Sequence, residues 1–297
     1  MNPASNQEFI HVKRKRGKSA TLNFRHNVDS SESLRSLGLN SNSKLQDTFC
    51  LTNDDIIKKL KVAQSHLEVS GFFSHFQGLV AKALQALDPL RSPNSPKILK
   101  IVCLGLGSFS DCIIARYQLA LLTLLQTKLE IGSVELFDPI FSDQENAVLE
   151  ELGFHVLTIN EEGRRCVEND LLTLFYLPHC SHQLTNNLLF ANWNIEKLKN
   201  CVIISNSFAN IHNSVPPRIL SQSLSFISRA GDICEEFEVK NCFEYSDIFN
   251  DTSIHVFSKL NAFHQMNDFW LDCSPPVYLD SDFVKSSCIE DIKPNQL

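Results

Sequence analysis

Between residues 52 and 87 apolar side chains recur every three or four positions, the period of a helix with one buried face. Ile56, Leu60, Ala63 and Leu67 form the first such stripe; Thr52 or Asn53 can cap it, and Asp54 and Asp55 suit its first turn. Gly71 breaks the run, and Phe72, Phe76, Leu79, Val80 and Leu84 begin a second helix. Residues 91–96, with two prolines and two serines, cannot continue it and read as a linker.

From Ile98 the pattern alternates between short apolar runs and longer helical ones. Strands are predicted at 98–104, 133–138, 154–159, 171–177 and 201–205, with a further edge strand at 254–257. Helices are predicted at 111–127, 141–152 (closed by Gly153), 184–193, and from Pro216 and Pro217 through Ile227, closed by Gly231. Strand, helix and strand at this spacing imply right-handed crossovers and a mostly parallel sheet covered on both faces. The predicted architecture is α/β: a Rossmann-like three-layer sandwich over residues 98–279, preceded by a helical segment and linker at 51–97.

Charge divides the chain. Residues 1–100 carry 15 Lys and Arg against 8 Asp and Glu, whereas residues 101–297 carry 12 against 26. Residues 1–50 hold too few apolar side chains to bury a face and read as a disordered basic arm, with five basic residues between Lys13 and Lys18. That cluster is either a solvated charge run or a nuclear-import signal. Residues 280–297 read as a loose acidic tail. A basic arm on an acidic body argues against direct nucleic-acid binding. The polar start lacks the apolar core of a secretory signal, and no apolar run approaches the roughly 18 residues that span a bilayer. Ten scattered cysteines without a Cys-x-x-Cys pair then read as reduced thiols of the cytosol or nucleus.

The candidate chemistry lies at the carboxyl edge of the predicted sheet. Gly105-Leu106-Gly107-Ser108-Phe109-Ser110 joins the first strand to the next helix, where ligands of such folds bind. Gly105 and Gly107 allow tight turning, Ser108 or Ser110 can cap the helix, and Asp138 ends the second strand where an acid can hold a ribose. Gly105, Gly107, Ser108 and Asp138 are therefore the candidate cofactor-binding residues, for a nucleotide or an S-adenosylmethionine-like molecule. The alternative is a purely structural tight turn. Ser110 replaces the third glycine of G-x-G-x-x-G, Phe109 that of G-x-G-x-G, and Asp111, expected in the first helical turn, would repel a phosphate. Pro178-His179-Cys180-Ser181-His182 reads as a packed loop, with a Cys180 nucleophile as its rival. Arg164 and Arg165 read as a solvated helical face, and Asn186, Asn187, Asn192 and Asn194 as groups that face the ligand edge or tie down loops.

Together these segments resemble the sensitivity-to-red-light-reduced (SRR-like) family. The resemblance rests on residues 102–110 with Ala115 to Leu119, on Phe137-Asp138-Pro139-Ile140-Phe141-Ser142, and on Glu161-Glu162-Gly163-Arg164-Arg165. Phe175 to Cys180, Asn186-Asn187-Leu188-Leu189 with Asn192-Trp193, Ser205 to Phe208, and Phe249 to His255 complete it in order. Ser205, Val256 and Ser258 depart from the family's usual residues. The resemblance implies a regulatory protein linked to circadian clock-gene expression and haem biosynthesis, with light signalling in plant members. It also implies placement in cytoplasm and nucleus and regulatory protein partners. It transfers no catalytic residue and leaves the cofactor unknown. A cryptic transferase with a small adenine-type ligand at the glycine loop is the rival reading, and a scaffold with a purely structural loop is a third.

Overall fold

The computed structural model describes residues 51–90, 100–168, 171–271 and 274–278. The basic cluster, the linker at 91–96 and the acidic tail lie outside the described residues. Two helices come first, α1 (Asn53–Glu68) and α2 (Gly71–Leu87). Thr52 and Asp55 cap α1 reciprocally, and Ser70 accepts the Phe73 amide to start α2. Gly71 thus opens the second helix. The order then runs β1 (Lys100–Leu104), α3 (Ile113–Lys128), β2 (Ser133–Phe137), α4 (Asp143–Glu151), β3 (His155–Val156) and β4 (Thr173–Tyr176). It continues with α5 (His182–Ala191), α6 (Ile195–Leu198), β5 (Cys201–Asn206), α7 (Phe208–Ser214), α8 (Pro217–Ser223), α9 (Ser225–Ile233), β6 (Glu235–Glu238) and β7 (Thr252–Val256).

The sheet has the order β3-β2-β1-β4-β5-β7-β6. The first five strands are parallel, with Ile101 beside Val134 on one side and Leu174 on the other. β7 runs antiparallel to β5, and β6 antiparallel to β7, which makes the sheet mixed but mostly parallel. Alternate strand residues feed two apolar layers, as the twofold period of a strand requires. Ile101, Cys103, Leu174 and Tyr176 join the helices α1 to α4 on one face. Val102, Leu104, Phe175 and Leu177 join α5 and α7 to α9 on the other. Phe72 of α2 stacks on Phe249 at 4.4 Å, so the two leading helices share the core of the sheet.

Three predicted elements change. The strand at 254–257 is an interior strand, not an edge, because a missed strand, β6, lies outside it. β6 reads Glu-Glu-Phe-Glu, too acidic to announce burial, and such charge is what keeps an edge strand from pairing with other chains. The helix predicted from Pro216 through Ile227 is two helices. Leu224, at φ −124° and ψ 37°, leaves the helical region between them, and Gly231 lies within α9. The third strand shortens to two residues, with Leu157 adding one bond to Leu136 O before the chain turns away.

Candidate functional site

Gly105 begins the glycine loop as an extension of the ladder, donating its amide to Phe137 O at 3.0 Å. Gly105 (φ +70°) and Gly107 (φ +84°) both occupy the left-handed region that glycine enters without steric cost. At Gly105 a side chain would also collide, since a Cβ would lie 2.5 Å from Cys180 Sγ. Leu106 and Phe109 are buried and anchor the loop in the core.

Two carboxylates close the loop. Asp138 Oδ2 accepts the Gly107 amide at 2.7 Å, and Oδ1 accepts the Ile140 amide at 3.0 Å. Glu145, almost wholly buried in the first turn of α4, accepts at Oε1 from the Ser110 amide (2.9 Å) and from the Ser108 and Ser110 hydroxyls (2.8 and 3.0 Å). Its Oε2 accepts the Ser142 amide at 3.0 Å, completing a capping box. Burial would raise the Glu145 pKa. The amides of Ser110 and Ser142 and the hydroxyls of Ser108 and Ser110 outweigh it and hold the carboxyl below its ordinary value. The expected helix cap is thereby corrected. α3 starts at Ile113 with Cys112 at the cap position and no side-chain bond, while both serines serve Glu145. Asp111 stands exposed, outside the first turn.

A cavity of about 250 Å³ opens beside the loop at the carboxyl edge. Leu104 and Gly105 after β1, Phe137 to Ile140 after β2, the segment from Leu157 to Gly163 after β3, and Cys180, Ser181 and Leu184 after β4 enclose it. Of the four candidate residues, Gly105 and Asp138 line this space, and Gly107 and Ser108 stand behind it in the closure of the loop. Strand order reverses between β1 and β4, so the cavity lies at the switch point where open α/β sheets bind ligands.

The far wall, formed by lining residues between Leu157 and Gly163, was not among the sequence candidates, whereas the asparagines do tie down a loop, one of the two roles expected of them. Asn187, fully buried, donates to Glu162 O at 2.8 Å, and Asn192 donates to Arg165 O and accepts the Val167 amide, each at 2.8 Å. The buried asparagines of α5 therefore rivet the loop at 161–167 against the helix. Gly163, at φ +79°, is pressed there so closely that a Cβ would sit 2.7 Å from Leu184 O. Arg164 and Arg165 are not on a helix. Arg165 contacts Glu135, Glu161 and Glu168, and Arg164 approaches Glu162 at 3.8 Å. A Glu-Glu-Gly turn followed by helix-poor asparagines was the available signal, but the pairing of Asn187 with Glu162 spans 25 residues of chain.

The reading of Cys180 as a nucleophile is not supported. Burial, reinforced by the Asp138 charge, pushes its thiol pKa far upward, and Sγ donates to Leu104 O at 3.1 Å. His179 turns elsewhere, to Asn250 O (3.1 Å) and the Gln118 amide (3.3 Å). Among the described residues no three His, Cys, Asp or Glu side chains gather to hold a metal, and no helix is long and apolar enough to cross a membrane.

Fold and cavity together define an α/β protein with a small, mostly apolar space at the switch point of a mostly parallel sheet. Comparison with known proteins gives the lineage. Residues 64–256 match the SRR1 domain, and the chain belongs to that family. It is 34% identical over 202 residues to the SRR1-like protein of Mus musculus, covering 60% of this chain and 81% of that one. The SRR1-like protein of Drosophila melanogaster is 34% identical over 193 residues, covering 64% of this chain and 66% of its own length. The protein SENSITIVITY TO RED LIGHT REDUCED 1 of Arabidopsis thaliana is 31% identical over 216 residues, 68% of this chain and 74% of that one.

Proposed function

We propose that this chain is a regulatory protein whose Rossmann-like switch-point cavity binds a small adenine-type ligand. In this reading it acts in circadian clock-gene expression and haem biosynthesis through protein partners, in both cytoplasm and nucleus. Family membership supports the regulatory role, and the name of the plant relative connects one member with red-light sensitivity. The observation that carries the ligand is the mostly apolar cavity itself, walled by the ends of four strands, with Gly105 in its lining where a side chain would collide with Cys180. The Rossmann-like description rests on the consecutive order β3-β2-β1-β4-β5 with the glycine loop after β1.

A transferase using an adenosyl cofactor is the second reading, favoured by Asp138 at the end of β2 beside Gly105. The test is removal of the protein from its cells, followed by rescue. Loss lowers the amplitude of clock-gene transcripts and alters haem content, the intact chain restores both, and Ile159→Trp, which crowds the cavity mouth, restores less. If loss leaves both quantities unchanged, the regulatory reading fails. Replacement of Lys13, Arg14, Lys15 and Arg16 by Ala should empty the nuclear pool, and an undisturbed pool removes the import role of that cluster.

A further inference from the structure

The cavity is apolar in body, its charged lining residues are all acidic, and Asn160 and Ser181 are its neutral polar ones. Asp138, Glu161 and Glu162 line it, and among the described lining residues there is no Lys, Arg or His. Two of the loop amides that a phosphate would seek are already taken: Gly107 donates to Asp138 and Ser110 to Glu145, so at these two positions the glycine loop presents carboxylates where a phosphate-binding loop presents free amides. Arg165 stands behind the wall, engaged by Glu135, Glu161 and Glu168, and Arg164 faces Glu162. Two large apolar side chains, Ile140 and Ile159, stand 62% and 71% exposed, both in the lining of the cavity. Exposed isoleucines converging on one opening offer an apolar seat for a flat ring.

We infer that the ligand is a phosphate-free nucleoside of the adenosyl class, neutral or cationic, and not a nucleotide or a dinucleotide. The inference rests on the ligand-binding reading above and sharpens it. A nucleoside brings a planar base for the apolar body of the cavity and ribose hydroxyls that donate to a carboxylate. Asp138 has two oxygens, each already accepting one amide hydrogen and each able to accept another. A phosphate or pyrophosphate would instead meet the Asp138 carboxylate in a mostly apolar space that offers it no cationic lining side chain, Arg164 and Arg165 being engaged by Glu162 and Glu161.

The test is calorimetric titration of the full chain with adenosine, S-adenosylmethionine and S-adenosylhomocysteine, against AMP, ATP and NAD. The expected result is binding of at least one nucleoside about tenfold or more tighter than any phosphate-bearing partner. Nucleotides binding as tightly as nucleosides, or more tightly, overturn this inference and leave the ligand-binding reading standing. Binding of none of the six overturns both. Asp138→Asn should narrow the nucleoside preference at least threefold, and a widened preference counts against the proposed role of its charge. Ile140→Ala, at an exposed position, should weaken nucleoside binding severalfold while the melting temperature of the unliganded chain stays unchanged; undiminished affinity removes the apolar seat.

Discussion

Gly105 holds the loop open by having no side chain in a place where backbone twist and packing both forbid one. Gly105→Ala should cost about 2–3 kcal/mol, part from the positive φ and part from the approach to Cys180 Sγ. In a urea-unfolding cycle with Cys180→Ala the packing part should be recovered, giving a coupling of about 1 kcal/mol; strictly additive losses would show that φ alone forbids the side chain. Glu145→Gln should cost about 2 kcal/mol at neutral pH, because a neutral amide replaces the charged acceptor of the Ser108, Ser110 and Ser142 donors. A variant as stable as the parent would remove Glu145 as the lock of the loop. Neither contact is written locally in the sequence: Glu145 lies 35 residues beyond Ser110, and Cys180 lies 75 beyond Gly105.

At the scale of elements, α8 and α9 show how a distant side chain ends one helix and starts another. Asn186 Oδ1 of α5 accepts the Phe226 and Ile227 amides at 3.0 and 3.1 Å, and its Nδ2 donates to Ser223 O. These are the orphan groups of two helix ends. Asn186→Ala should therefore cost about 2–3 kcal/mol and raise hydrogen exchange first at Phe226 and Ile227; exchange unchanged at those amides would deny the cap. Helices capped by their own neighbours, such as α1 by Thr52 and Asp55, were legible from sequence because their signal lies within four residues. The break at Leu224 was not, since its cause comes from about 40 residues upstream. β7 was legible as a strand but not as an interior one. Its neighbour β6 hides behind three glutamates.

For the whole molecule, the leading helices and the acid response decide integrity. Phe72, Phe76, Leu60 and Leu67 are among the fully buried side chains that α1 and α2 give to the shared core. Each such side chain is worth about 1.5–3 kcal/mol, so losing several is comparable to the roughly 5–15 kcal/mol that holds a typical domain together. A chain beginning at residue 98 should show no cooperative unfolding transition, whereas one spanning 51–278 should; a cooperative transition in the shorter chain would make the helices dispensable. His255 sets the acid response. It is fully buried, with Nδ1 against Ile203 O (3.2 Å), Nε2 accepting the Phe208 amide (3.4 Å) and its ring stacked on Phe208. Burial, against the opposing pull of Glu236, lowers its pKa to about 4. Between the ordinary histidine value and that one the unfolded chain binds a proton that the folded chain refuses, so stability falls as pH drops through this range. His182, also lowered by burial, adds the same sign. The Glu145 contribution, from a lowered carboxyl pKa, is full above the ordinary carboxylate value and is lost below it. Urea midpoints at pH 7, 6 and 5 should decline for the parent and decline less for His255→Gln; equal slopes would acquit the histidine.

The residue pattern alone determined the alternation of strands and helices, the parallel core of the sheet, the glycine turn after β1 and the family. All of these depend on periods of two or about four residues, or on short motifs read in order. Tertiary structure decided which side chains close the loop, where α8 ends, which strand is the edge, and that a cavity stands beside Gly105. Those depend on contacts between segments 25 to 75 residues apart, which chain topology creates and no local period encodes. The glycine loop illustrates the division. Its turn is in the sequence, but the carboxylates that accept the Gly107 and Ser110 amides arrive only when β2 and α4 fold back against β1.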